Sequence, residues 1–344
     1  MRSPEFYQQR LALVSRSFAL CIPQLQPPFR ELVAHAYLLM RVLDTVEDAP
    51  YADKPLQQRQ FERLRGFLRA LPARAEIDAF VAAFPTDLSA GERALLDDTY
   101  ALLEDGHALA PDERAAIFGT VDRMALGMAA YQSRPQPLRL VDTEDVTRYC
   151  CFVAGIVGEM LTHLWALHHT EPAPPMRLAY HFGLFLQKVN ILKDRQEDEA
   201  AGRFLVPDRD DLVASVRDHA LGALEYIQAL PPSDRGYRTF CAWCLMLGAV
   251  TLDQRDALAH GPLPSRRVET AELLARTAAI ASDNAALRRQ FAELMPRLAR
   301  VTRRPPLAKP ESAEWFRATL AAPLSVGELA ALGLASARPS ALAG

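Results

Sequence analysis

The stretch Gln187-Lys188-Val189-Asn190-Ile191-Leu192-Lys193-Asp194-Arg195-Gln196-Glu197-Asp198 is mostly apolar around its helical circumference and acidic at its C-terminal end. Residues three or four apart share one face of an α-helix, so Gln187, Asn190, Asp194 and Asp198 fall on a single polar line. Far upstream, Tyr37-Leu38-Leu39-Met40-Arg41-Val42-Leu43-Asp44-Thr45-Val46-Glu47-Asp48 is built the same way, with Tyr37, Arg41, Asp44 and Asp48 in line. Like charges at i,i+4 repel, and carboxylates at a helix C-terminus oppose the helix dipole. One D-x-x-E-D of this kind reads most simply as solvated surface. Two, each in an apolar helix that belongs inside, call for positive partners, because an interior carboxylate cluster must be paired or metal-bound. Mg²⁺ takes oxygen ligands, commonly one or two carboxylates together with substrate phosphates. The two helix ends are therefore expected to hold diphosphate through Mg²⁺.

Outward from these segments, nearly every readable stretch has helical period. Helices are predicted over 4–14, 28–48, 55–70, 75–84, 89–107, 111–131, 142–168, up to the second acidic motif, and over 208–229, 234–259 and 268–298. Pro28 suits a first helical turn, and Pro50 closes the first acidic helix because the residue before a proline leaves the α region. Ser133–Leu140 and Gly202–Pro207 read as loops, and no strand alternation of useful length appears. The fold class expected is all-α, a single large helical bundle with a central cavity, spanning 1–302. Residues 303–344 read as a tail, partly helical or flexible.

Half of the 344 residues are hydrophobic and 24% are charged, which suits a globular protein with a sizeable core. The net charge of −3 gives no sign of nucleic-acid binding. Five cysteines and an N-terminus without an apolar leader segment point to a reduced, cytoplasmic setting. No run of about 18 uninterrupted apolar residues appears, and Ala318–Ala335 is the nearest approach to one.

Other clusters each carry a plain reading beside a functional one. Tyr149, Val153, Val157 and Leu161 repeat at i,i+4 with Gly155 and Gly158 beside them, as a core stripe or the wall of an apolar tunnel. Ser15-Arg16-Ser17-Phe18 is a helix-stop turn or a set of phosphate donors, and Arg203 after Gly202 is equally ambiguous. Cys241-Ala242-Trp243-Cys244 has neither the second pair zinc would want nor the βαβ setting of a redox motif, so buried thiols are expected. His168-His169 reads as surface.

These segments resemble the squalene/phytoene synthase family, all-α enzymes that join two prenyl diphosphates head to head. The resemblance runs from about Ser15 to Leu258 and includes SRSF at 15–18, YLLMRVLDTVED at 37–48, GMAAY at 127–131, YCCFVAGIVGEML at 149–161, FLQKVNILKDRQED at 185–198 and FCA at 240–242. It implies that Asp44, Asp48, Asp194 and Asp198 bind Mg²⁺ and the two diphosphates, with Glu47 and Glu197 supporting. Ser15, Ser17, Arg41 and Lys193 would contact phosphates, and Tyr149 would assist the first half-reaction. Phe18, Tyr37, Val153, Val157, Leu161, Gln187, Asn190 and Phe240 would line the prenyl cavity.

The family branch implied couples two molecules of farnesyl diphosphate to presqualene diphosphate and then uses NADPH as reductant. Stopping at presqualene diphosphate, a phytoene-type reaction, or a non-catalytic assembly relative stand as alternatives. Lys193 replaces the family's usual Arg and cannot form its bidentate fork. Cys244-Leu245 replaces the Pro-Gln that often follows the FCA segment. The K-x-R-K-G segment of the eukaryotic enzymes, associated with the reductive step, is not recognisable, and Arg266-Arg267 is the nearest substitute. The C-terminal membrane helix of eukaryotic members is not recognisable, so any membrane contact is expected to be peripheral.

Overall fold

Prolines and side-chain caps divide the chain into helices. In the computed structural model, which describes residues 1–15, 17–258, 267–299 and 313–321, α1 (Pro4–Val14) starts with Pro4 in its first turn and the Ser3 hydroxyl accepting from the Phe6 amide. Short α2 (Phe18–Cys21) and a 3₁₀ turn lead into α3 (Phe29–Asp48), the first acidic helix. Then come α4 (Lys54–Arg69), α5 (Arg74–Val81), α6 (Ala90–Asp97), α7 (Thr99–His107) and α8 (Pro111–Gln132). Asp142 caps α9 (Thr143–Cys150), which passes through a π-helical turn, Cys151–Gly155, into α10 (Ile156–His168). The second acidic helix is α11 (Met176–Ala200), followed by α12 (Arg209–Ala229), α13 (Arg235–Leu258), α14 (Arg267–Ile280), α15 (Asn284–Ala299) and α16 (Ala313–Ala321).

The all-α expectation holds, with α11 as the central element. It packs against α12, the π-turn, α10 and α13, while α3 packs against α1, α4, α7 and α8. Leu38, Leu39, Val42, Leu43 and Val46 of α3 are fully buried. Each such side chain stabilises the fold by roughly 1.5–3 kcal/mol relative to an exposed one. The close packing of α11 on α10 and on the π-turn depends on glycine. A methyl group at Gly158 would collide with the Ala179 carbonyl, and one at Gly183 with that of Ala154. Gly158 therefore serves helix packing rather than room for a ligand.

The structure corrects several boundaries. The helix predicted over 89–107 is two, meeting at Asp98, and that over 142–168 contains the π-turn. The stretch 268–298 is also two helices, because Asp283 accepts the Ala285 and Ala286 amides and starts a new one. Both predicted loops contain a two-residue strand, Leu138–Arg139 (β1) and Arg203–Phe204 (β2), paired in parallel. Two residues are too few to show alternation.

Within the stretch read as tail, α16 is packed on the bundle, with Phe316 fully buried and stacked on Tyr180 at 4.6 Å. Thr143–His168 is long and apolar enough to cross a membrane, but 67% of its most apolar window is buried in the bundle, as for a core helix. Most of Ala318–Ala335 lies outside the described residues.

Candidate active site

The apolar side of α3 fixes where its acidic end comes to rest. Gln57 of α4 donates to the Val46 and Glu47 carbonyls at 3.0 and 2.8 Å, satisfying two acceptors that the helix terminus leaves open. Arg41 donates to Asp44 at 2.9 Å. Burial, only partly offset by Arg41, pushes the Asp44 carboxyl up to about 6. Glu47 is buried and accepts the Tyr149 hydroxyl at 3.2 Å. Burial and then repulsion from Asp48 push its carboxyl up to about 8. Burial and then the nearby Glu47 charge hold the Tyr149 phenol well above its ordinary value, so it keeps its proton. Asp48 is exposed.

On α11, Asp194 is half-buried and lies 3.0 Å from Lys193 Nζ, Asp198 is buried, and Glu197 is exposed. The two acidic ends meet at Arg203. Gly202, with φ +76°, turns the chain after α11 in a conformation that suits glycine. The β1–β2 pairing then holds Arg203 in place. One guanidinium nitrogen donates to Asp48 and another to Asp198, the latter at 2.7 Å. Burial opposes the Arg203 charge, but Asp48 and Asp198 outweigh it and raise its pKa.

The donor set suits a hard cation and its diphosphate. Carboxylates of both helices converge on one positive group, and every candidate ligand is an oxygen. Among the described residues no three acidic, histidine or cysteine side chains already stand as a chelating cluster; Arg203 joins the two ends instead. The Nε groups of Arg41 and Arg203 are buried without a hydrogen-bond partner among the described residues. Buried donors of this kind are matched to an anion such as phosphate.

The remaining sequence candidates fall into two groups. Phe18 and Tyr37 meet with ring centroids 5.0 Å apart, and Ser15 accepts the Phe18 amide at 3.0 Å. Ser17 is exposed, and Arg16 lies outside the described residues. Asn190 is exposed and accepts from Lys193 at 3.4 Å, and Gln187 is half-buried. Val153, Leu161 and Phe240 are buried and Val157 is half-buried. Phe240 stacks on Tyr237 at 6.0 Å, in the core rather than at the acidic ends. Cys241 and Cys244 are free and buried, as expected, and so are Cys21, Cys150 and Cys151. His168 is exposed beside Glu113, and His169 stacks on Trp165. The side chains of Arg266 and Arg267 lie outside the described residues, so none of the described residues is assigned to NADPH.

Two residues that the structure places in polar contacts reaching across helices carried little signal in the sequence. Arg203 showed only as a basic residue after a glycine, and Lys188, buried on α11, reads like any lysine on an amphipathic helix.

An all-α bundle that brings two acidic helix ends to one point has the isoprenoid synthase type of architecture. The squalene/phytoene synthase family model matches residues 11–212, and the chain belongs to that family. Squalene synthase of Cyberlindnera jadinii is 30% identical over 274 residues, 71% of this chain and 59% of the relative. That of Yarrowia lipolytica is 31% identical over 279 residues, with the same two shares. The chain thus spans about 59% of the length of these relatives. The fold is also that of a solved complex of TcSQS with the ligand BPH1237, at TM-score 0.71 and 24% identity over 96% of this chain and 98% of the other.

Proposed function

We propose that the protein condenses two molecules of farnesyl diphosphate head to head into presqualene diphosphate and reduces this to squalene. The observation that carries the reading is the convergence of Asp48 and Asp198, from two helix ends far apart in sequence, on Arg203. Family membership and relatives named squalene synthase support it.

In this reading Asp44, Asp48, Asp194 and Asp198 hold Mg²⁺, with Glu47 and Glu197 supporting. When bound, Mg²⁺ offsets the charge that builds on the departing diphosphate. Arg203, Arg41, Lys193, Ser15 and Ser17 contact phosphate oxygens, using donors such as the open Nε groups of the two arginines. Tyr149, protonated and fixed on Glu47, sits beside the leaving group. Phe18, Tyr37, Val153, Val157, Leu161, Gln187, Asn190 and Phe240 line the space for the prenyl chains and keep water from the allylic cation. The hydride of the second step would come from NADPH, which none of the described residues is assigned to hold. The protein works in the cytoplasm, with peripheral membrane contact where the hydrocarbon product leaves.

Incubation of purified protein with farnesyl diphosphate and Mg²⁺, with and without NADPH, tests this reading. Presqualene diphosphate without NADPH and squalene with it are expected. Presqualene diphosphate that persists in both would remove the reductive step, and no condensation product at all would remove the reading.

A further inference from the structure

Behind the acidic ends lies a buried polar cluster that the scheme above does not use. Lys188 of α11 is fully buried. Its ammonium donates to Thr147 Oγ1 of α9 at 2.6 Å and to Ser215 Oγ of α12 at 2.6 Å, and it lies 2.9 Å from His219 Nε2 of α12. His219 Nδ1 lies 2.8 Å from His181 Nδ1. Burial and then the Lys188 charge hold His219 well below its usual pKa. Its Nε2 is therefore an acceptor for Lys188, which leaves the ring proton on Nδ1, toward His181.

The register of these contacts connects them to the site. Successive helical residues are turned by about 100°, so residues two apart point to nearly opposite sides. Thr147, held from behind by Lys188, is two residues before Tyr149, which reaches Glu47 on the other side. On α11, Lys188 is two residues before Asn190, and the first is fully buried while the second is exposed. One ammonium thus grips the backs of two helical turns whose fronts carry proposed site residues. The grip falls at the last turn of α9, where the helix loosens into the π-turn Cys151–Gly155. Single π-turns inside α-helices are rare and frequently fall at functional sites.

We propose that Lys188 is a positioning residue for the condensation, setting Tyr149 against Glu47 by clamping α9, α11 and α12 through Thr147, Ser215 and His219. The inference rests on the function proposed above. Misplacing a reacting group by about 1 Å can cost on the order of a hundredfold in rate.

The test is a double-mutant cycle on farnesyl diphosphate consumption with Lys188→Met, Tyr149→Phe and the pair, each checked by far-UV circular dichroism. Lys188→Met is expected to lower kcat by about tenfold to a hundredfold and to change KM by less than about twofold. In the Tyr149→Phe background the same change should cost less than about twofold, because the group being positioned has gone. Losses that multiply would overturn the proposal while leaving the condensation reading intact. If Lys188→Met does not fold, Thr147→Val removes one acceptor with little change of shape. It should lower kcat by about threefold to tenfold, and only when Tyr149 is present; an unchanged kcat would overturn the proposal. A folded wild type that consumes no farnesyl diphosphate overturns the function and the positioning role together.

Discussion

The two acidic helix ends are spelled alike, D-x-x-E-D in both, but they live in different surroundings. The end of α3 is sunk into the bundle: Glu47 is buried under Tyr149, Gln57 closes the helix terminus, and Asp44 is paired with Arg41. The end of α11 is more open, with Glu197 in solvent and Asp194 beside the half-buried Lys193. Only Asp198 is buried there, and Arg203 links it to Asp48. Equal spacing therefore does not mean equal roles. The α3 end is a preorganised half held by burial, the Tyr149 and Gln57 hydrogen bonds and the Arg41–Asp44 ion pair, and the α11 end is a half that Arg203 ties to it.

The largest expected effect breaks either half outright. Asp48→Asn or Asp194→Asn should lower turnover by about a thousandfold while the far-UV helical signal stays unchanged, because each removes charge from the site proposed to hold Mg²⁺ and diphosphate. Turnover that survives would remove the metal assignment. Next comes the tie between the halves. Arg203→Ala should cost about a hundredfold in kcat/KM, and Arg203→Lys should recover only part of it, since lysine lacks the fork that reaches both aspartates. Full recovery with lysine would reduce Arg203 to a simple counter-charge.

The glutamates sharpen the contrast. Glu47→Gln should slow turnover by about tenfold to a hundredfold, as loss of a buried supporting group typically does. Glu197→Gln should change it by less than about threefold, because its side chain is exposed. Equal effects would erase the distinction drawn between the two ends. The smallest effect is on stability. Glu47 is raised from an ordinary 4.5 to about 8 and Asp44 from 3.8 to about 6. A carboxyl raised on folding contributes stability that is full below its unfolded pKa and lost as pH rises through its folded one. Thermal melting of the metal-free protein should therefore fall between pH 6 and pH 8.5, and Mg²⁺ should restore more of it at the higher pH. A melting temperature that rises over that window would contradict the burial of these carboxyls.

Much of this could be read from the residues. Apolar period with a carboxylate line gave both acidic helices, and prolines gave many of the boundaries. Three kinds of feature could not be read. A π-turn keeps the apolar pattern of an α-helix, so Cys151–Gly155 was invisible inside 142–168. Asp98 and Asp283 look like surface acids in a helical period, although each falls where one helix gives way to the next. Arg203 and Lys188 depend on partners far away in sequence, and no local spacing carries that information. The candidate carboxylates were legible because their chemistry repeats along one helix face; Arg203, which joins two of them, was not.

The central claim is that the two ends act as one site. Calorimetric titration of inorganic diphosphate into the wild type, Asp48→Asn and Asp198→Asn, with and without Mg²⁺, tests it most directly. Binding should require Mg²⁺ and should be lost when an aspartate on either helix is neutralised. Diphosphate that binds without Mg²⁺, or that binds Asp198→Asn as tightly as the wild type, would contradict the account.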